Sequence, residues 1–346
     1  MQRSHLMDGM RVLAAHLIVV HHFASYGPLA DLFASGWPSL HGFLYDYGRM
    51  ATQVFLVMAG FLSAQSLLQR PGQSWVSLLV KRYWRLVPAY AVAIIGVTVV
   101  VWLARPTIQS DWLTVEPSWF QFLTHLLLIQ DIVGQPSMSV GVWYVAMDFQ
   151  LFFILSLVFW LASAGSGWAE LSNTRIGWVS CVATLLCLSS QWLFNRDAVW
   201  DRWAFYFFES YGLGVLLACS KRLPQARWLM LLCIASAVIA FFFMPRPRLL
   251  LTVLMVAVLM LWGEAWQPNT RLSKFLHRMS DTSYAMFLSH FMVLVVANAF
   301  WISLGWQSEN AALVMLVMAW IFCAWFGGGF HDLVETLMRW CWPRRR

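Results

Sequence analysis

Long apolar runs recur from one end of the chain to the other, with short polar stretches between them. A helix that crosses a bilayer needs about 20 mostly apolar residues, within a range of about 17–25. By that measure the pattern predicts ten spanning helices, over 9–28, 48–68, 83–104, 142–163, 175–195, 203–219, 227–244, 249–265, 282–303 and 310–338. One further run, Trp119 to Gln130, follows Pro117 and is too short to cross, so it reads as a re-entrant or interfacial helix. No soluble-looking block interrupts the series and no internal repeat stands out. The expectation is an all-α polytopic membrane protein, a single domain over 1–346.

Composition agrees with this. Of 346 residues, 60% are hydrophobic and only 11% charged, too few to clothe a soluble protein of this length. The 22 Trp and 25 Phe suit aromatic belts at the lipid–water boundary. The net charge of +7 forms no solvated basic face for nucleic acid. It is gathered in short connections instead: Arg70, Lys81, Arg82 and Arg85; Lys221, Arg222 and Arg227; Arg271, Lys274 and Arg278; and Arg344, Arg345 and Arg346. With ten crossings and both termini cytoplasmic, all four clusters fall inside, as the positive-inside rule requires; counting 119–130 as a crossing would put the later three outside. The longest outside segment is then 105–141, and a shorter one covers 29–47. Together they form the natural roof of a site open to the exterior.

The six cysteines (Cys181, Cys187, Cys219, Cys233, Cys323 and Cys341) show no metal spacing and read as buried, reduced thiols, so no metal is expected. The N-terminus lacks a signal-peptide cleavage pattern, which leaves the first helix as an anchor in a cell membrane, the inner membrane for a bacterial source. Gly327-Gly328-Gly329 reads as close helix packing rather than phosphate binding.

Against this background, Arg11 and three histidines, His16, His21 and His22, stand out in the first apolar run. Ionisable groups inside a membrane are costly and mark sites or partners. At 100° per residue, His22 returns to within about 20° of Arg11, about 16 Å along the axis. His21 lies about 80° from Arg11 and His16 about 140°. Arg11 and His22 thus share a stripe, with His21 a rival one step away; mutual packing is the plainer reading of His16.

The stretch Asp8-Gly9-Met10-Arg11 with the run to His22 resembles the opening of the acyltransferase family 3 membrane proteins. Four further stretches follow in that family's order. Val54 to Leu62 is similar to its Phe-Phe-x-x-Ser-Gly-Phe-Leu element, with Ala59 in place of the serine; here Gly60 reads as a helix-approach point. Arg82-Tyr83-Trp84-Arg85-Leu86-Val87-Pro88-Ala89-Tyr90 resembles its Arg-x-x-Arg-x-x-Pro-x-Tyr. Val142 to Phe152 looks like its Trp-x-Leu-x-x-Glu-x-Gln-Phe-Tyr, with Asp148 in the glutamate's place. Ser283-Tyr284-Ala285-Met286-Phe287-Leu288-Ser289-His290-Phe291 is similar to its Ser-Tyr-x-x-Tyr-x-x-His-x-Pro.

The resemblance implies transfer of an acyl group, most simply acetyl, from a cytoplasmic acyl-CoA to a hydroxyl of a cell-envelope carbohydrate or glycolipid. Acyl-CoA would be a donor substrate, and no permanently bound cofactor is expected. In that reading His22 is the general base, or else carries the acyl group transiently; both suit imidazole. Asp148 orients the imidazole. Arg11 meets the thioester end or the donor phosphates, Arg82 and Arg85 bind phosphates at a cytoplasmic helix start, and Trp143, Tyr144 and His290 line the substrate side. Members of the family often carry an added extracytoplasmic hydrolase-like domain; the stand-alone form is expected here. The rival class is a proton-coupled transporter or flippase of a sugar or lipid-linked substrate, which also places Arg, His and Asp in helices but more typically shows repeats or half-helices. Glu209 is the other deep carboxylate, and the sequence gives it no role.

Overall fold

A computed structural model describes residues 4–69, 73–108, 110, 112–113, 117–163, 172–263, 266 and 268–341. Arg70 and Arg344–Arg346 of the basic clusters lie outside the described residues, as does Cys341's side chain. Thirteen α-helices are described: α1 (His5–Phe23), α2 (Pro28–Gly36), α3 (Pro38–Gly48), α4 (Ala51–Gln69), α5 (Trp75–Ala104), α6 (Trp119–Leu126), α7 (Val142–Ala162), α8 (Asn173–Trp192), α9 (Ala204–Ser220), α10 (Ala226–Phe243), α11 (Pro247–Trp262), α12 (Thr270–Leu304) and α13 (Glu309–Cys341). Two short 3₁₀ turns lie between α8 and α9, and no strand occurs among the described residues.

Seven stretches are helical, long and apolar enough to cross a membrane, with α3 and α4 counted as one; α1 and α2, bent by 94° at their junction, make an eighth if taken as one broken span. Helices α9 and α11, of 17 and 16 residues, are apolar but shorter. Every predicted run therefore appears as a helix, and the short helix after Pro117 is present as α6, capped by Ser118, whose hydroxyl accepts the Gln121 N–H.

Three expectations change. The segment 29–47, expected as an outer loop, is helical: Pro28 and Pro38 each open a helix at its first position, where the missing N–H costs nothing. Helix α5 begins at Trp75 rather than 83, so Arg82 lies seven residues, about 10 Å, inside it instead of at its start. The run Trp75 to Val80 is itself apolar, and only the charges of Lys81 and Arg82 made it look like a connection. Helix α12 starts at Thr270, capped by the Asn269 side chain, so Arg271, Lys274 and Arg278 ride on the helix.

The chain divides into two compact units. The first comprises 1–7, 52–85 and 146–267. Within it α4 and α9 meet backbone to backbone. A Cβ on Gly60 would stand 2.0 Å from the Tyr211 carbonyl oxygen, and one on Gly214 would stand 2.1 Å from the Val57 carbonyl oxygen. Small residues at such crossings supply the close packing that drives helix association in lipid. Gly60→Val is accordingly expected to cost at least about 1–3 kcal/mol, the usual penalty of overpacking. Thermal unfolding of the detergent-solubilised protein reads it. Beside this crossing the Ser210 hydroxyl gathers the side-chain oxygens of Gln53, Glu209 and Thr252, all buried. Glu209 is thus part of a polar knot in an apolar interior.

The second unit comprises 8–51, 86–145 and 268–346. Here α1 and α12 run parallel and in step. The Asp8 carboxylate accepts from His277 Nδ1 at 2.6 Å and from the Ser280 hydroxyl at 2.8 Å. One turn on, Arg11 donates to Ser280 at 3.0 Å, and further up His22 meets His290. Asn298 then anchors the chain beyond the bend, its Oδ1 accepting the Leu29 N–H at 3.1 Å.

Candidate functional site

His22 sits in the last turn of α1, 6% exposed, and His290 lies fully buried in the middle of α12. His22 Nδ1 and His290 Nε2 are 2.7 Å apart, and the two rings are nearly parallel, at 11°. The other nitrogen of His290, Nδ1, bonds the Phe287 carbonyl on its own helix. A carbonyl oxygen only accepts, so His290 carries its proton on Nδ1 and offers a bare Nε2. His22 must then donate from Nδ1. This leaves its Nε2 lone pair free of any hydrogen bond from the described residues, the form a general base requires.

The His22 ring borders a cavity of about 410 Å³, within the range of small-ligand sites. Tyr26, Trp112, Gln121, Trp143 and Phe291 share its lining. Gly141 closes the wall at φ +82°, in the left-handed region that suits glycine. A Cβ there would come within 3.1 Å of the Phe287 ring and 3.5 Å of His22 Cε1, so this glycine keeps the space beside the imidazole. Behind the wall the segment after α6 is pinned by His125. Its Nδ1–H donates to the Gln121 carbonyl at 2.8 Å and its Nε2 accepts the Met138 N–H at 3.1 Å. Burial pushes the His125 imidazole below its ordinary pKa, which keeps it in the neutral form that both bonds need.

The other residues singled out in the sequence fall as follows. Trp143 lines the cavity, whereas Tyr144 packs edge-on against Phe287, with ring centres 5.8 Å apart. His290, expected on the substrate side, stands behind His22 instead, because the α12 register brings it opposite the α1 ring. His21 is turned to α3, its Nδ1–H held by the Leu44 carbonyl at 3.0 Å, and His16 accepts the Trp320 indole N–H at 3.0 Å. Arg11 is part-exposed and steadied by Ser280, with Asp8 3.8 Å away.

Asp148, expected to orient the imidazole, has a bonded partner of its own. In the first unit both of its oxygens lie 2.6 Å from Arg82 Nη2, and the guanidinium also sits 5.0 Å above the Phe152 ring. A carboxylate in an apolar helix needs a counter-charge, and Arg82, two turns inside α5, supplies it. Of the two arginines expected to hold phosphates, Arg82 is bonded to Asp148 and Arg85 is exposed.

The family model described as an acyltransferase domain matches residues 5–328, nearly the whole chain. The chain belongs to acyltransferase family 3. The five stretches that resembled the family all fall inside the matched span. Among curated proteins, the Regulator of hypoxia-inducible factor 1 of Caenorhabditis elegans is similar, 24% identical over 164 residues covering 43% of this chain and 32% of that protein. The chain therefore spans about a third of that relative's length. No solved structure matches it significantly.

Among the lining residues that the sequence did not single out are Tyr26, Trp112, Gln121 and Gly141. They sit in connections or on the two-turn helix α6, where no period marks them.

Proposed function

We propose that this family 3 member moves an acyl group, most simply acetyl, from a cytoplasmic acyl-CoA to a hydroxyl of a cell-envelope carbohydrate or glycolipid. The observation that carries the reading is a cavity with an imidazole in its wall whose Nδ1 is committed and whose Nε2 is not. His22 Nε2 takes the acceptor hydroxyl proton as that oxygen attacks the thioester carbonyl. The C–O bond forms, the C–S bond breaks, and the departing thiolate recovers the proton from His22. Net, one thioester and one alcohol give one ester and one thiol. Imidazole suits both transfers because its ordinary pKa, about 6.5, lies near working pH.

Trp143 and the neighbouring aromatic rings present flat apolar faces and polar edges, a lining suited to a sugar ring. Arg11 and Arg85 are the cations assigned to the donor, at the thioester end and at the phosphates. Arg82 and Asp148 hold one another and support the helices rather than the reaction. In this topology α9 and α11 cross as well, giving ten crossings with both termini cytoplasmic, in a cell membrane. The donor binds only as substrate, with no resident cofactor.

The test is to incubate the purified protein in lipid nanodiscs with radiolabelled acetyl-CoA and an envelope glycan extract. Labelled ester on glycan, with one free CoA thiol per ester, is expected. Absence of thiol release, or accumulation of sugar in vesicles without any acyl turnover, would overturn the reading in favour of transport.

A further inference from the structure

His22 can act as a base at Nε2 only while its own proton sits on Nδ1. In isolation the neutral imidazole has its proton on either nitrogen, and one of the two forms is useless as a base at Nε2. In hydrolytic triads a carboxylate settles the choice. Here the one acid that the sequence offered for that task, Asp148, is bound to Arg82.

We infer that His290 is the positioning residue of the site: a neutral imidazole, locked by the Phe287 carbonyl, that fixes the His22 tautomer and shares its proton during turnover. The inference rests on the acyl-transfer reading only for its kinetic consequence. The lock itself is set by four atoms. Phe287 O can only accept, so His290 Nδ1 donates; His290 Nε2, 2.7 Å from His22 Nδ1, can then only accept; and His22 Nδ1 must donate. All the options at each link are used up by the one before.

The chain of bonds has a second use. When His22 Nε2 takes the hydroxyl proton, the ring becomes a cation in an apolar surround. Its Nδ1 proton is already hydrogen-bonded to His290 Nε2, so it can pass across to that nitrogen without either ring moving. His290 then holds protons on both nitrogens, with Nδ1–H still on the Phe287 carbonyl, and His22 is neutral. The charge is spread over two rings and a peptide dipole. As the thiolate leaves, the proton returns to His22 Nδ1 and the Nε2 proton goes to sulfur, so the pair is restored. Using a neutral orienter has a physical advantage at this depth. A histidine pair at rest carries no charge, whereas an Asp orienter would add a carboxylate to be desolvated.

His290 has no access to the cavity, being 0% exposed, so it acts on substrate through His22 alone. Two variants and a spectrum test this. His290→Leu keeps volume and removes the acceptor, while His290→Gln places an amide oxygen near the former Nε2. In the wild-type protein labelled with 15N-histidine in nanodiscs, His22 is expected to show Nδ1 protonated and Nε2 bare, its signals assigned by their loss in His22→Ala. In His290→Leu the Nε2-protonated form should appear, and kcat should fall about 10²–10⁴-fold with KM for both substrates unchanged. His290→Gln should restore the tautomer and bring kcat back to within about tenfold of wild type. A purely structural His290 would instead lower thermal stability and move KM, leaving the His22 tautomer as it was. The inference is overturned if wild-type His22 is protonated at Nε2, or if His290→Leu keeps its kcat. If the wild-type tautomer is as expected and no acceptor is acylated, the lock stands and the acyl-transfer reading falls instead.

Discussion

His22→Ala is expected to lower kcat for acyl transfer by about 10²–10⁴-fold, the span usually supplied by a positioned acid–base group. KM for acyl-CoA should hardly change, because the residue lost touches the reacting hydroxyl and not the nucleotide. The fold should tolerate the change. The side chain lies at the end of α1 beside a cavity, so its removal enlarges existing space, and the buried His290 Nε2 it leaves behind can take a water from that side. Initial rates of CoA thiol release against a wild-type control, with both proteins shown to be equally folded by thermal unfolding, read the effect. Equal rates would remove His22 from the chemistry. His21→Ala is the natural companion. It cuts a bond to the Leu44 carbonyl and touches no cavity residue's reactive atom, so it should act on stability more than on kcat.

The second large effect is on stability. Asp148→Ala leaves the Arg82 guanidinium, 16% exposed along its side chain, without its carboxylate in an apolar helix pair. Breaking one side of such a buried pair costs about 3–5 kcal/mol. Replacing both together, as Arg82→Met with Asp148→Leu, should recover most of that, because two well-packed apolar groups need no counter-charge. Midpoints of thermal unfolding in one detergent rank the three proteins. If Asp148→Ala unfolds like wild type and loses only activity, Asp148 belongs to the reaction after all. The double variant separates the cases, since it recovers stability but could not recover a catalytic carboxylate.

Much of the fold was readable because membrane helices announce themselves by length and apolarity alone. Each of the ten runs is a helix, and the misplaced boundaries share a cause. Lys81 and Arg82 looked like the edge of a span, and Arg271, Lys274 and Arg278 looked like a loop, because a charged residue in sequence carries no sign of the partner that lets a helix pass through it. Arg82 has such a partner 66 positions away. The helices of 28–48 were missed for a different reason, since short amphipathic segments opened by proline resemble turns. For the candidate site, helical arithmetic put Arg11 and His22 on one stripe and left His21 as an unresolved neighbour. What separates the two rings is the direction each faces, towards α3 or towards α12. That rests on contacts 23 and 268 positions distant along the chain. The pairing of His22 with His290 could not be read at all. Both residues were picked out one by one, but no local pattern says that their nitrogens meet.

The in-step course of α1 and α12 turns residue spacing into a setting of angle. Between the Arg11–Ser280 contact and the His22–His290 contact, α1 advances eleven residues and α12 ten. At 100° and 1.5 Å per residue, one amino acid too many or too few in either stretch would swing the upper ring by more than a quarter turn while raising it barely more than a bond length. The two helices therefore work as a vernier. A length change there is felt hardly at all as height and almost wholly as misaim, while many substitutions between the fixed points leave the aim untouched.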